Sequence, residues 1–163
     1  YQGEWLRVMR AKLGLGEARR DDAVLVDDLF ETLRGQRVDF TGFFRALGRV
    51  MREGAEATEE LRALFGQPEA IDGWLVRWTE RADAGGAEAS GRADAMDRAN
   101  PLYIPRNHLV EAALQAAETH GDLGPVETLL EVLQDPYRQR PGYDGFEEPA
   151  PDDFGPYVTY CGT

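Results

Sequence analysis

Cysteine, histidine and lysine are nearly missing from this chain of 163 residues, and long apolar runs are missing altogether. The one cysteine, Cys161, excludes an internal disulfide and suits a reducing cytoplasm. The two histidines, His108 and His120, lie far apart with no Cys-x-x-Cys pair nearby, too little for a zinc site. Lys12 is the only lysine, so the basic side chains are otherwise arginine. No stretch approaches the roughly 20 apolar residues that cross a bilayer. A net charge of −12 opposes nonspecific binding to nucleic acid or to anionic lipid, both of which demand counter-charge. Neither nucleic acid nor membrane is therefore an expected partner.

What is present is helical periodicity, and the pattern predicts an all-α fold: an irregular array of about six to eight helices. Trp5, Leu6, Met9 and Leu13 mark a first helix that stops near Gly14. Asp21 or Asp22 can cap a second, in which Leu25, Leu29 and Leu33 form an i, i+4, i+8 stripe. Asp39 can cap a third, where Phe40, Phe43, Phe44, Leu47, Val50 and Met51 fall on one face. Thr58 opens a shorter helix, and Pro68 starts another with Ile71, Trp74, Leu75 and Trp78 on one side. Trp74 and Trp78, one turn apart, read as core rather than as a ligand platform. Residues 83–92 are Ala, Gly and acid with little to bury, the composition of a flexible connection, and a short helix around Met96 follows it.

The run Asn100-Pro101-Leu102-Tyr103-Ile104-Pro105-Arg106-Asn107 makes an elbow. Each proline biases the residue before it toward extended backbone, so one helix ends at Asn100 and another begins after Ile104, with Pro105 in its first turn. Asp122 suits the cap of the last helix, which carries Val126, Leu129, Leu130 and Leu133. This reading places a helical domain at residues 1–134 and an extended tail rich in proline and aromatics at 135–163. A solvated tail carries few aromatics, so Tyr137, Tyr143, Phe146, Phe154, Tyr157 and Tyr160 are expected to lie against something.

Several of these motifs stand in an order that resembles one family. Lys12-Leu13-Gly14-Leu15, Asp39-Phe40-Thr41-Gly42-Phe43-Phe44-Arg45-Ala46-Leu47, the spacing of Trp74, Trp78 and Arg81, the elbow, and Tyr160-Cys161-Gly162-Thr163 resemble the C-terminal region of the selenoprotein O (YdiU) family, kinase-like protein adenylyltransferases. The resemblance implies an enzyme that transfers AMP from ATP, with Mg²⁺ or Mn²⁺, to Ser, Thr or Tyr hydroxyls of other proteins in the bacterial cytoplasm. It also implies that the catalytic kinase-like domain lies upstream of Tyr1. No Gly-rich phosphate loop, strand-borne lysine or D-F-G-like metal aspartate occurs in these residues. The expectation is a non-catalytic helical region, without catalytic, cofactor or metal ligands of its own, whose partners are the upstream domain and, through it, the protein substrates.

Three sets of residues remain as candidates. Cys161 matches the family's near-terminal selenocysteine or cysteine, which implies a redox role. Asn100, Arg106 and Asn107 either tie helix ends together or face the upstream domain, arginine being suited to phosphate through its planar fork. His108 reads as a packing or surface residue, and His120 as a helix C-terminal one. The run Gly35-Gln36-Arg37-Val38-Asp39-Phe40 superficially resembles the second half of an EF-hand loop but lacks the oxygen ligands calcium needs. Two alternatives stay open: a stand-alone helical protein-interaction module, and an independent thiol enzyme using Cys161.

Overall fold

A computed structural model describes residues 2–155 apart from Gly85 and Ala87. Among the described residues there are eight α-helices, three short 3₁₀ turns and no strand, the all-α array that the periodicity predicts. The chain condenses into two units that divide after Pro101.

The first unit contains α1 (Gln2–Lys12), α2 (Asp22–Leu33), α3 (Phe40–Glu53), α4 (Ala55–Arg62), α5 (Asp72–Asp83) and α6 (Ala89–Ala99). Its core gathers Leu13, Val26, Leu29, Phe43, Phe44, Leu47, Leu61, Ile71, Trp74, Trp78 and Met96. Trp74 and Trp78 stack with centroids 5.9 Å apart, and each is fixed by its polar edge as well as its ring. The Trp74 indole donates to the Leu25 carbonyl at 2.8 Å, and that of Trp78 to the Leu13 carbonyl at 2.9 Å. A buried indole N–H needs such an acceptor. The pair therefore ties α5 to α2 and to the segment after α1.

Asp39 caps α3, its carboxylate accepting from the Gly42 N–H at 2.8 Å. The helix departs from its sequence stripe at one end. Phe40 remains 44% exposed and stacks on Phe30, while the small residues Ala46 and Gly48 are buried. Gly48 explains why α6 can sit so close, since a Cβ there would stand 3.1 Å from Asp97 Oδ1. Two expected helix starts shift. The fourth helix begins at Ala55 behind Gly54 (φ 75°), and the Thr58 hydroxyl donates back to the Gly54 carbonyl instead of capping. Pro68 opens a 3₁₀ turn, Pro68–Ile71, that leads into α5. Helix α6 starts at Ala89, within the stretch whose composition reads as a connection. Arg92 binds the Ala82 carbonyl and Asp83, and the fully buried Ala93 and Met96 supply what little apolar surface the helix needs.

The second unit contains α7 (Asn107–His120) and α8 (Gly124–Gln134), followed by 3₁₀ turns at Asp144–Phe146 and Asp152–Phe154. Arg106 occupies the N-cap of α7, so Pro105 stands just before the helix rather than in its first turn. Gly121 ends α7 in the left-handed region (φ 65°), where glycine is free of a Cβ penalty. The elbow is held by the Pro136 carbonyl, which accepts from the N–H groups of Leu102 and Tyr103 at 2.7 and 3.1 Å. Leu102, Tyr103 and Val132 form a small buried cluster, covered in part by Leu133, Tyr143 and Phe146. The tail thus packs on α7 and α8 as far as Phe154, whose ring meets that of His108 edge-on, while Tyr157 and Tyr160 lie outside the described residues.

Candidate functional site

Two polar knots organise the first unit. At the first, Asn100 is 1% exposed and uses its whole amide. Its Nδ2 donates to the Lys12 and Met96 carbonyls, both at 2.9 Å, and its Oδ1 accepts from Lys12 Nζ at 3.1 Å. The Asn100 carbonyl and that of Asp97 accept from Arg45. One side chain therefore closes the C-terminal ends of α1 and α6 against each other. The Lys12 ammonium lies 5.1 Å over the Phe44 ring, and burial lowers its pKa. Asn100 thus locks two helix ends.

The second knot was not visible as such in the sequence. Asp22, one of the two residues offered as a cap, is fully buried. It accepts from Arg81 Nε at 2.6 Å, from Arg10 Nε at 2.6 Å and from the Arg19 N–H at 2.9 Å. Arg81 also donates to the Glu17 carbonyl. Burial on its own raises the Asp22 carboxyl. The hydrogen bonds from Arg81, the Arg19 backbone and Arg10 outweigh it and hold the group below the ordinary carboxylate range. Asp21 takes the N-cap position instead, without a side-chain bond to the helix. The available signal was the spacing Trp74, Trp78, Arg81, which places a guanidinium on the same helical face as two core indoles. An arginine there requires a buried acid, and Asp22 is that acid.

Arg106 and Asn107 belong to the second unit, apart from Asn100 in the first. Arg106 is 7% exposed and donates to the Glu147 carbonyl at 2.6 Å, which pins the tail to the start of α7. Asn107 is exposed as the first residue of α7. Arg140 performs the matching task at the other end, where it donates to the last carbonyls of α8, Val132 at 2.9 Å and Glu131 at 3.2 Å. Its guanidinium lies 4.7 Å over the Tyr143 ring. The Tyr143 hydroxyl donates to Glu131, and that bond, burial and the carboxylate charge raise its pKa. His120 is exposed at the end of α7. Cys161 lies outside the described residues. Among the described residues, no three His, Cys, Asp or Glu side chains gather as a metal site, and no helix is long and apolar enough to cross a membrane.

Comparison with known proteins agrees with the motifs. The chain is 48% identical over 164 residues to a protein nucleotidyltransferase YdiU from Sphingopyxis alaskensis, covering 100% of this chain and 33% of that protein. It is 48% identical to the protein of that name from Mycolicibacterium paratuberculosis, over 100% of this chain and 32% of the relative. Against the Rhodopseudomonas palustris protein the identity is 42% over 95% of the chain. The chain spans about a third of the length of the curated relatives it matches. The family model for protein adenylyltransferase SelO matches residues 1–134, which covers the first unit, α7 and α8. By that match the chain belongs to the SelO family.

Proposed function

We propose that this chain is the C-terminal helical region of a SelO-type adenylyltransferase, non-catalytic on its own, which supports a kinase-like domain carried upstream in the same polypeptide. The whole enzyme transfers AMP from ATP, with Mg²⁺ or Mn²⁺, to Ser, Thr or Tyr hydroxyls of other proteins in the bacterial cytoplasm. The observation that carries this reading is the use made of the buried polar side chains. Asp22 and Arg81 neutralise one another in the core, Asn100 closes two helix ends, and Arg106 fastens a tail. Each is committed to holding helices in place, which is the work of a scaffold. The one-third coverage of the relatives supports it, since most of their length lies elsewhere. Cys161 is proposed as the redox-sensitive element of the intact enzyme.

Labelled ATP tests the assignment. The full-length protein is expected to label acceptor proteins and the 163-residue chain to leave them unlabelled; label transferred by the chain alone defeats the proposal. In the full-length enzyme, Cys161→Ser is expected to remove any dependence of AMP transfer on oxidants. A dependence that persists in that variant takes Cys161 out of the account.

A further inference from the structure

Helices α1, α2 and α3 carry a row of aromatic rings from the core of the first unit to its surface. Trp5 of α1 stacks on Phe30 of α2, Phe30 stacks on Phe40 of α3, and Phe40 meets Phe44 edge-on, with centroids 5.9, 5.9 and 4.8 Å apart. The inner end is anchored, since Phe44 is 1% exposed. The outer end is open. Trp5 and Phe40 are each 44% exposed, and Val8, one turn along α1 from Trp5, is 40% exposed. Glu4 and Arg7 flank Trp5 along α1 and pair with each other, so the ring stands between charges that cancel. Rings already fixed by their neighbours lose little freedom when something covers them, and aromatic anchors of this kind are enriched where protein surfaces meet.

We propose that the Trp5–Phe40 face is covered by the upstream domain of the same polypeptide, which lays an apolar surface over Trp5, Val8 and Phe40. The inference rests on the proposed existence of that domain and adds the place where it docks. Two observations choose this occupant over a second copy of the chain. The first is size. Trp5, Val8 and Phe40 leave on the order of 250 Å² uncovered. A stable dimer buries roughly 800 Å² per partner, whereas a tethered segment, at millimolar effective concentration, holds on far less. The second is continuity. Helix α1 begins at Gln2, so a polypeptide that precedes it arrives within one turn of Trp5. The matched region is 33% of the Sphingopyxis alaskensis relative, so the remainder is of domain size.

Hydroxyl-radical footprinting of the full-length protein and of the 163-residue chain, each normalised to its unfolded form, reads this face residue by residue. Oxidation of Trp5 and Phe40 is expected to fall about fivefold or more in the full-length protein, because a docked surface excludes water from its anchors. Trp5→Glu places a charge where the 163-residue chain leaves the ring open. It is expected to keep the parental circular dichroism in that chain and to raise Phe40 oxidation about threefold or more in the full-length protein. Labelled ATP keeps this proposal apart from the assignment of activity. A full-length protein that labels acceptors with Trp5 unprotected loses the docking face alone, and one that protects Trp5 without labelling keeps the face and loses AMP transfer. Equal oxidation of Trp5 and Phe40 in the two proteins overturns the proposal. So does protection in the 163-residue chain that rises with concentration, which gives the face to a second copy.

Discussion

In the first unit Phe43, Phe44, Trp74 and Trp78 are wholly enclosed, and the charges that join them are enclosed too. Among the described residues of the second unit, Leu102, Tyr103 and Val132 form the enclosed cluster, while Leu114, Leu123 and Leu130 stay half-exposed. It holds its helices through arginines that reach backbone carbonyls, Arg106 at one end and Arg140 at the other. Large side chains removed from water contribute about 1.5–3 kcal/mol each, whereas a single hydrogen bond to a charged donor contributes about 1.5–3 at best and less where water competes. The first unit is therefore set by burial and fails where burial is disturbed. The second is set by surface fastenings, each of modest strength, and opens in small steps.

The sharpest way to break that contrast is Asp22→Ala. It leaves Arg81 buried without its carboxylate, and the loss is expected to be about 3–5 kcal/mol by chemical denaturation. Hydrogen exchange should accelerate throughout α1, α2 and α5 while Tyr103 and its neighbours keep their protection. Equal acceleration in both units ends the distinction between them. The pH dependence follows with its sign. The Asp22 carboxyl is lower in the folded chain than in the unfolded one, so its contribution is complete above the unfolded value of about 3.9. It declines as pH falls below that value and is lost once pH passes the lower folded one. Asp22→Asn should flatten this part of the acid-unfolding curve, and an unaltered curve removes Asp22 from the account.

Trp78→Phe comes next in size. The ring is largely kept, but the Leu13 carbonyl loses its donor in a buried place, for about 1–3 kcal/mol. Tyr103→Phe is the counterpart in the second unit. Its hydroxyl accepts from the Arg140 N–H at 3.1 Å, a partner with access to water, so about 0.5–1.5 kcal/mol is expected. If Tyr103→Phe costs more than Trp78→Phe in parallel urea titrations, the second unit is the better packed of the two and the comparison is inverted.

How far the sequence disclosed this arrangement depends on the kind of signal. The stripe from Phe43 to Leu47, the Asp39 cap and the stop near Gly14 were legible because each acts within one helical turn. Trp74 and Trp78 could be placed in the core by spacing alone. Asp22 could not be placed, because its partners Arg10 and Arg81 lie on other helices and a first-turn aspartate has the same appearance whether it caps or is buried. The helix around Met96 was legible, but the start of α6 at Ala89 was obscured for the opposite reason. This helix docks through Ala93, Met96 and the absence of a side chain at Gly48, and small residues leave almost no periodic mark. The candidate residues follow the same division. For Asn100 the sequence left two roles open, and that its amide would bond the backbone of Lys12, on a distant helix, was beyond local reading.

Gly48→Ala has the smallest expected effect and tests how tightly the first unit is built. In a helix interior, alanine is favoured over glycine by about 1 kcal/mol, so an open site would be stabilised. Here the new Cβ stands 3.1 Å from Asp97 Oδ1, and that carboxylate must give way by a few tenths of an ångström. It is not at liberty to do so, because Arg45 holds Oδ1 at 3.2 Å and Arg52 holds Oδ2 at 2.8 Å. The intrinsic gain and the displacement then nearly cancel, with a net loss of about 0.5 kcal/mol or less expected for the single variant. Combining Gly48→Ala with Asp97→Ala removes the obstacle, so the cost of the pair should fall below the sum of the two by about 1 kcal/mol, a coupling that thermal and urea unfolding can resolve. Strict additivity means that α3 and α6 are packed loosely enough at Gly48 to admit a methyl group, and the first unit then owes less to close fit than its enclosed aromatics imply.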